Sequence, residues 1–209
     1  MRPVAGKLVE RWGQQVVVDN RSGAGGVIAG ELTARAAPDG YTLIMATISS
    51  MATNVSLTRN LPYDPVRDFA PIAVTDSSPS VLVVHPSLPV KSVRDLIALA
   101  KAQPGKFAYG SSGIGGASHL AVALFASMAG VELLHVPYKG GALAVTDLLG
   151  GRLSLMFANL TTVQPHVKSG KVRALAIGTA QRSQVAPELP TVAEAGVAKP
   201  VIGRVLRHG

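Results

Sequence analysis

The 209-residue chain contains no cysteine, which excludes disulfides, thiolate chemistry and cysteine-held metals. Aromatic residues make up only 4%, too few for the stacking platforms that single-stranded nucleic acid needs. Charged residues are 15% against 47% hydrophobic, a balance that excludes a disordered chain and supplies a sizeable core. No apolar run reaches the roughly 18 residues of a membrane-spanning helix. The longest, near Val81–Val84 and Leu120–Met128, read as a buried strand and a packed helix. The histidines (His85, His119, His135, His166, His208) are never spaced four apart, and no Glu/His pairing points to a metal. The opening MRPVAGKLVERWG shows no basic stretch leading into an apolar core, so no signal peptide is read there, and on that ground alone the chain stays in the cytoplasm.

Acidic residues are also scarce, 12 against 20 basic, for a net charge of +8. Residues 1–77 balance at seven of each sign, whereas residues 78–196 carry ten basic and five acidic side chains and 197–209 three basic ones. The positive residues (Lys91, Lys101, Lys139, Arg152, Lys171) are scattered, with no aromatic-interleaved stripe. This excludes nucleic acid as a partner and leaves a mild preference for small anions.

Short β-branched runs alternate with helical patterns, the signature of an α/β fold with mostly parallel sheets. Strands are predicted at Gln15–Val18, Tyr41–Ala46, Phe69–Val74, Val81–His85, Phe107–Tyr109, Leu133–Val136, Leu153–Phe157 and Val172–Ile177. A helix is predicted over Ser92–Gln103, with Ser92 and Asp95 as a capping box and Val93, Leu96, Ile97 and Ala100 on one face, stopped by Pro104-Gly105. Further helices are predicted from Gly25 to Ala36, through LAVALFASMAG and through GALAVTDLLGG. Thr75–Ser80 separates two strands without a helix, which predicts a crossing between two lobes: 1–78 a first lobe, 79–190 a second, and 191–209 a return segment with a basic tail.

The chemistry gathers in YGSSGIGGASHL, Tyr109–Leu120. A dinucleotide loop would place a third glycine at Ser118 and an acidic residue some twenty positions on, and neither is in place. A hydrolase would need G-x-S-x-G, which is absent, and a base and acid for Ser111 or Ser112 from elsewhere. His119 reads as an early helical residue that caps or packs. A strand end, a turn of small residues and a helix start offer free N–H groups to an anion, although the same stretch also suits a turn that merely connects. The construction recurs at Val136–Gly141, at Phe157–Thr162 (Asn159, Thr161 and Thr162 in a turn) and at Ala46–Asn54. Ligands of open α/β sheets sit beyond the carboxyl ends of strands. Four polar loops there, with no acid, base or metal set, favour binding over catalysis.

These stretches resemble the Bug-type (TctC-like) solute-binding proteins of tripartite tricarboxylate transporters. The resemblance rests on VVVDNRSGAGGVIAGELTARAAPDGYTLIMAT, LPYDPVRDFAPIAV, LVVHPSLPVKSVRDLIALAKAQPGKFAYGSSG, HVPYKGGALAVTDLLGGRLSLMF and PHVKSGKVRALAIGTAQRS. It implies a type II periplasmic binding protein fold, two α/β lobes with a hinge, that closes on a small carboxylate or dicarboxylate. It further implies a membrane permease as partner, a periplasmic location, no cofactor, no metal and no enzymatic activity. The ligand-binding residues it implies are Ser111, Ser112, Gly113, Gly115, Ser118, Tyr138, Gly140, Gly141 and Asn159 in the second lobe, and Thr47 and Ser49 in the first. Ala158 stands where family members often carry Asp. The resemblance also implies a first lobe lacking its first strand and loop, a tail of the kind a frameshift leaves, and weak or absent binding. An α/β enzyme acting on a small anionic substrate and a non-functional gene fragment are the alternatives.

Overall fold

A computed structural model describes residues 2–197 of the chain. It divides into two compact units, one running to Pro71 and one starting at Ile72. The basic tail falls on 198–209, outside the described residues.

The second unit is built on a five-stranded sheet of β1 (Ser80–Val84), β2 (Ala108–Ser111), β3 (Leu134–Pro137), β4 (Leu155–Asn159) and β5 (Arg173–Ile177), in the order β3-β2-β4-β1-β5. β1 reads SVLVV, and Val81 to Val84 have no exposed surface; a continuous apolar run is what a central strand covered on both faces requires. Because side chains alternate, the strands feed two cores. Leu82, Val84, Leu155 and Phe157 pack with Leu96 of α4 (Val93–Ala102) and Val122 and Phe125 of α5 (Ala117–Ala129). Val81, Val83, Met156 and Ala158 pack on the other side with Ala144 and Leu148 of α6 (Gly141–Leu149) and Val163 of α7 (Leu160–Lys168). Phe125 and Phe157 meet edge to face at 6.4 Å, a geometry favoured by the ring quadrupole. Gly110 is required by close approach: a Cβ there would lie 2.5 Å from Leu153 Cδ1 and 3.1 Å from Ala144 Cβ.

The sheet is mixed rather than mostly parallel. β2 runs parallel to β3 and β4, but β1 is antiparallel to both β4 and β5. Residues 190–192 then return alongside β5: Ile177 N donates to Pro190 O, Val192 N donates to Ile177 O, and Val192 is buried.

The five strands predicted after residue 80 are present, each within two residues of its expected start. Those predicted at Gln15–Val18, Tyr41–Ala46 and Phe69–Val74 are not strands. β-Branched alternation supplies propensity, but a strand exists only when its backbone is paired, and these segments form no ladder among the described residues. Many of their apolar side chains stay exposed, Tyr41 at 92% and Val74 at 88%, and none is buried. The first unit instead holds α1 (Arg2–Trp12), α2 (Val27–Ala34) and α3 (Asn54–Leu57), the last preceded by a π-helical turn over Ser49–Thr53. The turn predicted within Ala46–Asn54 is therefore helical from Ser49 onward, and the turn predicted at Asn159–Thr162 is the first turn of α7.

Candidate functional site

Parallel pairing of β2 with β3 and β4 brings three carboxyl ends to one edge of the sheet: Ser111, Pro137 and Asn159. Each strand passes almost at once into a helix, so α5, α6 and α7 all start there. Each helix start carries unpaired N–H groups and the positive end of a dipole. The three loops, 111–118, 137–141 and 159–162, contain no acidic residue and one lysine, Lys139. A small anion is the ligand that such an edge attracts.

The first two loops touch. Tyr138 N donates to Ser111 O at 3.1 Å. A Cβ on Gly113 would lie 3.4 Å from Tyr138 O, and one on Gly141 would lie 3.9 Å from Ser112 Cβ. Gly113 has φ 128° and Gly140 φ 131°, which L residues with side chains rarely adopt.

Within the 111–118 loop most backbone donors are already engaged. Ser112 N donates to Ser118 Oγ at 2.9 Å, Gly113 N to Ser111 Oγ at 3.2 Å, and Gly115 N to His119 Nδ1 at 3.1 Å. Gly116 N donates to Gly113 O at 3.2 Å. The intrahelical ladder of α5 begins with Leu120 N on Gly116 O, so the amides of Ala117, Ser118 and His119 precede it and have no intrahelical acceptor. Ser112 is exposed, and its hydroxyl stands 3.1 Å from that of Ser118.

Behind this loop, three rings stack. Parallel register sets His135 of β3 beside Tyr109 of β2, with centroids 4.8 Å apart. His119 of α5 lies over His135 at 4.1 Å and 14°. His135 Nε2 sits 2.7 Å from Ser111 Oγ. Burial pushes both imidazoles below the usual histidine range, and His119 adds to the effect on His135. Both are therefore neutral near pH 7, and His119 carries its proton on Nε2 because Nδ1 accepts from Gly115. Sequence reasoning read His119 as capping or packing and passed over His135; only strand register brings the two together.

Ser111 and His135 have the spacing of a nucleophile and base, but Ser111 has no exposed surface, and among the described residues His135 stacks on His119 and is given no carboxylate partner. Ser111 is part of the loop's frame. Tyr138 is likewise committed: its hydroxyl donates to Asp147 Oδ2 at 2.7 Å while Arg152 Nη1 donates to Oδ1 at 2.9 Å. The Tyr138 bond, then Arg152, holds the Asp147 carboxyl below its usual range. Asn159 is exposed and caps α7 without a side-chain cap bond. Ala158 is buried against α6 and α7, where a carboxylate would lack water.

In the first unit, Thr47 and Ser50 form a reciprocal cap: Thr47 N donates to Ser50 Oγ at 3.0 Å and Ser50 N to Thr47 Oγ1 at 3.2 Å. Ser49 is half-buried in the turn that follows. Buried Ser50 and Asn54, unmarked in the sequence reading, anchor this region: Tyr63 Oη donates to Ser50 O at 2.6 Å and Asn54 Nδ2 to Gly25 O at 3.2 Å. The depression beside Tyr63, about 580 Å³ and wide open, is walled by Met51, Val55, Leu61 and Pro65. Its Asp64 accepts from the amides of Val66 and Arg67, and Thr58 and Arg59, with Tyr63, are the other polar or charged residues lining it. Among the described residues no group of three or more His, Asp or Glu is placed to hold a metal, and no helix is long and apolar enough to cross a membrane.

Residues 1–204 match the family described as Tripartite tricarboxylate transporter family receptor. Protein BugT of Bordetella pertussis (strain Tohama I) is 42% identical over 196 residues, 93% of this chain and 60% of BugT. Among solved structures, R. palustris Rpa4515 with adipate superposes with a TM-score of 0.91 at 44% identity, over 95% of this chain and 67% of that one. MatC from Rhodopseudomonas palustris with bound malate gives 0.86 at 29% identity, over 94% and 67%. The chain spans 50–61% of the length of the curated relatives it matches.

Proposed function

The chain belongs to the tripartite tricarboxylate transporter receptor family, and on that footing we propose that it is a receptor for a small carboxylate or dicarboxylate held at the α5–α6–α7 edge. The carrying observation is the convergence of three helix N-termini on an edge whose loops hold no acid. Rpa4515 holds adipate and MatC malate, two dicarboxylates on the same fold, which supports this ligand class.

In this reading the first-turn amides of α5, the hydroxyls of Ser112 and Ser118, the amides from Gly140 onward and the Asn159 side chain receive carboxylate oxygens. Charge-assisted bonds of this kind are the strong ones. Thr47 and Ser49 belong to the first unit. The reading includes a periplasmic location, non-catalytic binding and delivery to a membrane permease; the periplasmic neighbours support the location.

Thermal unfolding of the chain with adipate, malate, citrate and glutamate tests the proposal. Ligand at about 100 times its dissociation constant adds roughly 2.7 kcal/mol, which for a chain of this size raises Tm by roughly 5–10 °C. A shift with at least one carboxylate, absent with a neutral isostere, is expected. No shift with any of them at about 10 mM, ten times a weak millimolar dissociation constant, would overturn it.

A further inference from the structure

We propose that His119 and His135 are positioning residues for the ligand-receiving loop, acting as a stacked pair of imidazoles that fixes the backbone of residues 111–116. This deepens the receptor reading and rests on it for the ligand arm alone.

Two independent hydrogen bonds carry it. His119 Nδ1 accepts the Gly115 amide, and His135 Nε2 meets the Ser111 hydroxyl, which in turn accepts the Gly113 amide. The pair thus grips the loop at both sides of its glycine bend. The rings reach it from different elements, α5 and β3, and stack at 4.1 Å on each other and, through His135, at 4.8 Å on Tyr109. Tyr109 is buried in the sheet, so the grip is tied to the rigid core rather than to another loop. With Gly113 and Gly115 held by side chains, these two amides are not ligand donors. The carboxylate is left to the first-turn amides of Ala117, Ser118 and His119, which have no intrahelical acceptor. The loop is shaped before the ligand arrives, which spares the ordering cost of binding.

The two histidines use different ring nitrogens, and this makes the test specific. Asn imitates Nδ1 and Gln imitates Nε2, so His119→Asn and His135→Gln keep the bonds that His119→Leu and His135→Leu remove. The full chain in each form is followed by amide hydrogen exchange at Gly113 and Gly115, and by calorimetric titration with adipate and malate. Each leucine variant is expected to speed exchange at its own glycine about tenfold and weaken binding about tenfold, one hydrogen bond's worth. The Asn and Gln variants should return both to within about threefold.

Leucine variants that exchange and bind like the parent overturn the proposal. So do Asn and Gln variants that fail to rescue, because packing alone would then be the role. Should the leucine variants not fold, imidazole nitrogen shifts of the unaltered chain decide: His119 protonated on Nε2 upholds the grip, and on Nδ1 overturns it. If the unaltered chain binds neither dicarboxylate, the receptor reading fails while the exchange results still decide the positioning role.

Discussion

Buried imidazoles make the second unit sensitive to mild acid. His119 and His135 are held below the ordinary histidine value of 6.5 by burial, so the unfolded chain takes up their protons first. Stability is therefore whole above about pH 6.5 and falls as pH drops from there toward the depressed native values. The carboxyls of Asp95 and Asp147 are also lowered, from 3.8, and their stabilising effect is lost only in a more acid window. Melting temperature followed from about pH 7.5 to about pH 5 should decline, and His119→Asn with His135→Gln should flatten that decline. An unchanged slope in the double variant would assign the acid sensitivity elsewhere. At this same scale the sequence named Ser111, Ser112, Gly113 and Ser118 as one loop, and the structure gathers them. Their roles were not legible, because whether a serine faces solvent or supports its own backbone depends on its burial: Ser112 is exposed and Ser111 has no exposed surface.

Among the elements, α4 is the one whose limits were written most clearly. Ser92 accepts the Asp95 amide at 3.1 Å, and the Asp95 carboxylate accepts the Lys91 amide at 2.9 Å. Both are local contacts fixed by spacing along the chain. Ser92→Ala should cost about 1 kcal/mol, read as a lower denaturant midpoint at unchanged slope; no change would mean that water replaces the cap fully. α7 was missed for the opposite reason. LTTVQPHVK has β-branched residues near its start and Pro165 inside it, both poor helix signals. Packing of Leu160 and Val163 into the core overrides them. The predicted strands divide the same way: from β1 onward each strand met a partner, while Gln15–Val18, Tyr41–Ala46 and Phe69–Val74 did not.

Across the whole molecule the two units differ sharply in what they bury. Among the described residues up to Pro71, only Ala5 and Tyr63 are buried hydrophobics, whereas the second unit has two contiguous clusters on its two sheet faces. Stability follows buried apolar area, so the second unit should resist conditions that open the first. Limited trypsin digestion of the chain should cut early after the exposed Arg21, Arg59 and Arg67 and leave a resistant fragment beginning at Asp68. Digestion of both units at equal rates would contradict this. The carboxylate shift proposed above belongs to this scale too, because ligand held at the α5–α6–α7 edge should protect that fragment further.

The sequence by itself determined the α/β class, the five strands after residue 80, the capped α4, the small-residue loops and the absence of thiol chemistry, because these rest on composition and on contacts between near neighbours. The family resemblance was also written there, in short motifs along the chain. Only the tertiary structure decided that the sheet is mixed and that Gly113 and Gly115 are already held. It alone stacked His119 on His135, since residues 16 positions apart on different elements meet only when strand register and helix packing are set. Pairing and burial are properties of partners, and no local run of residues contains its partner.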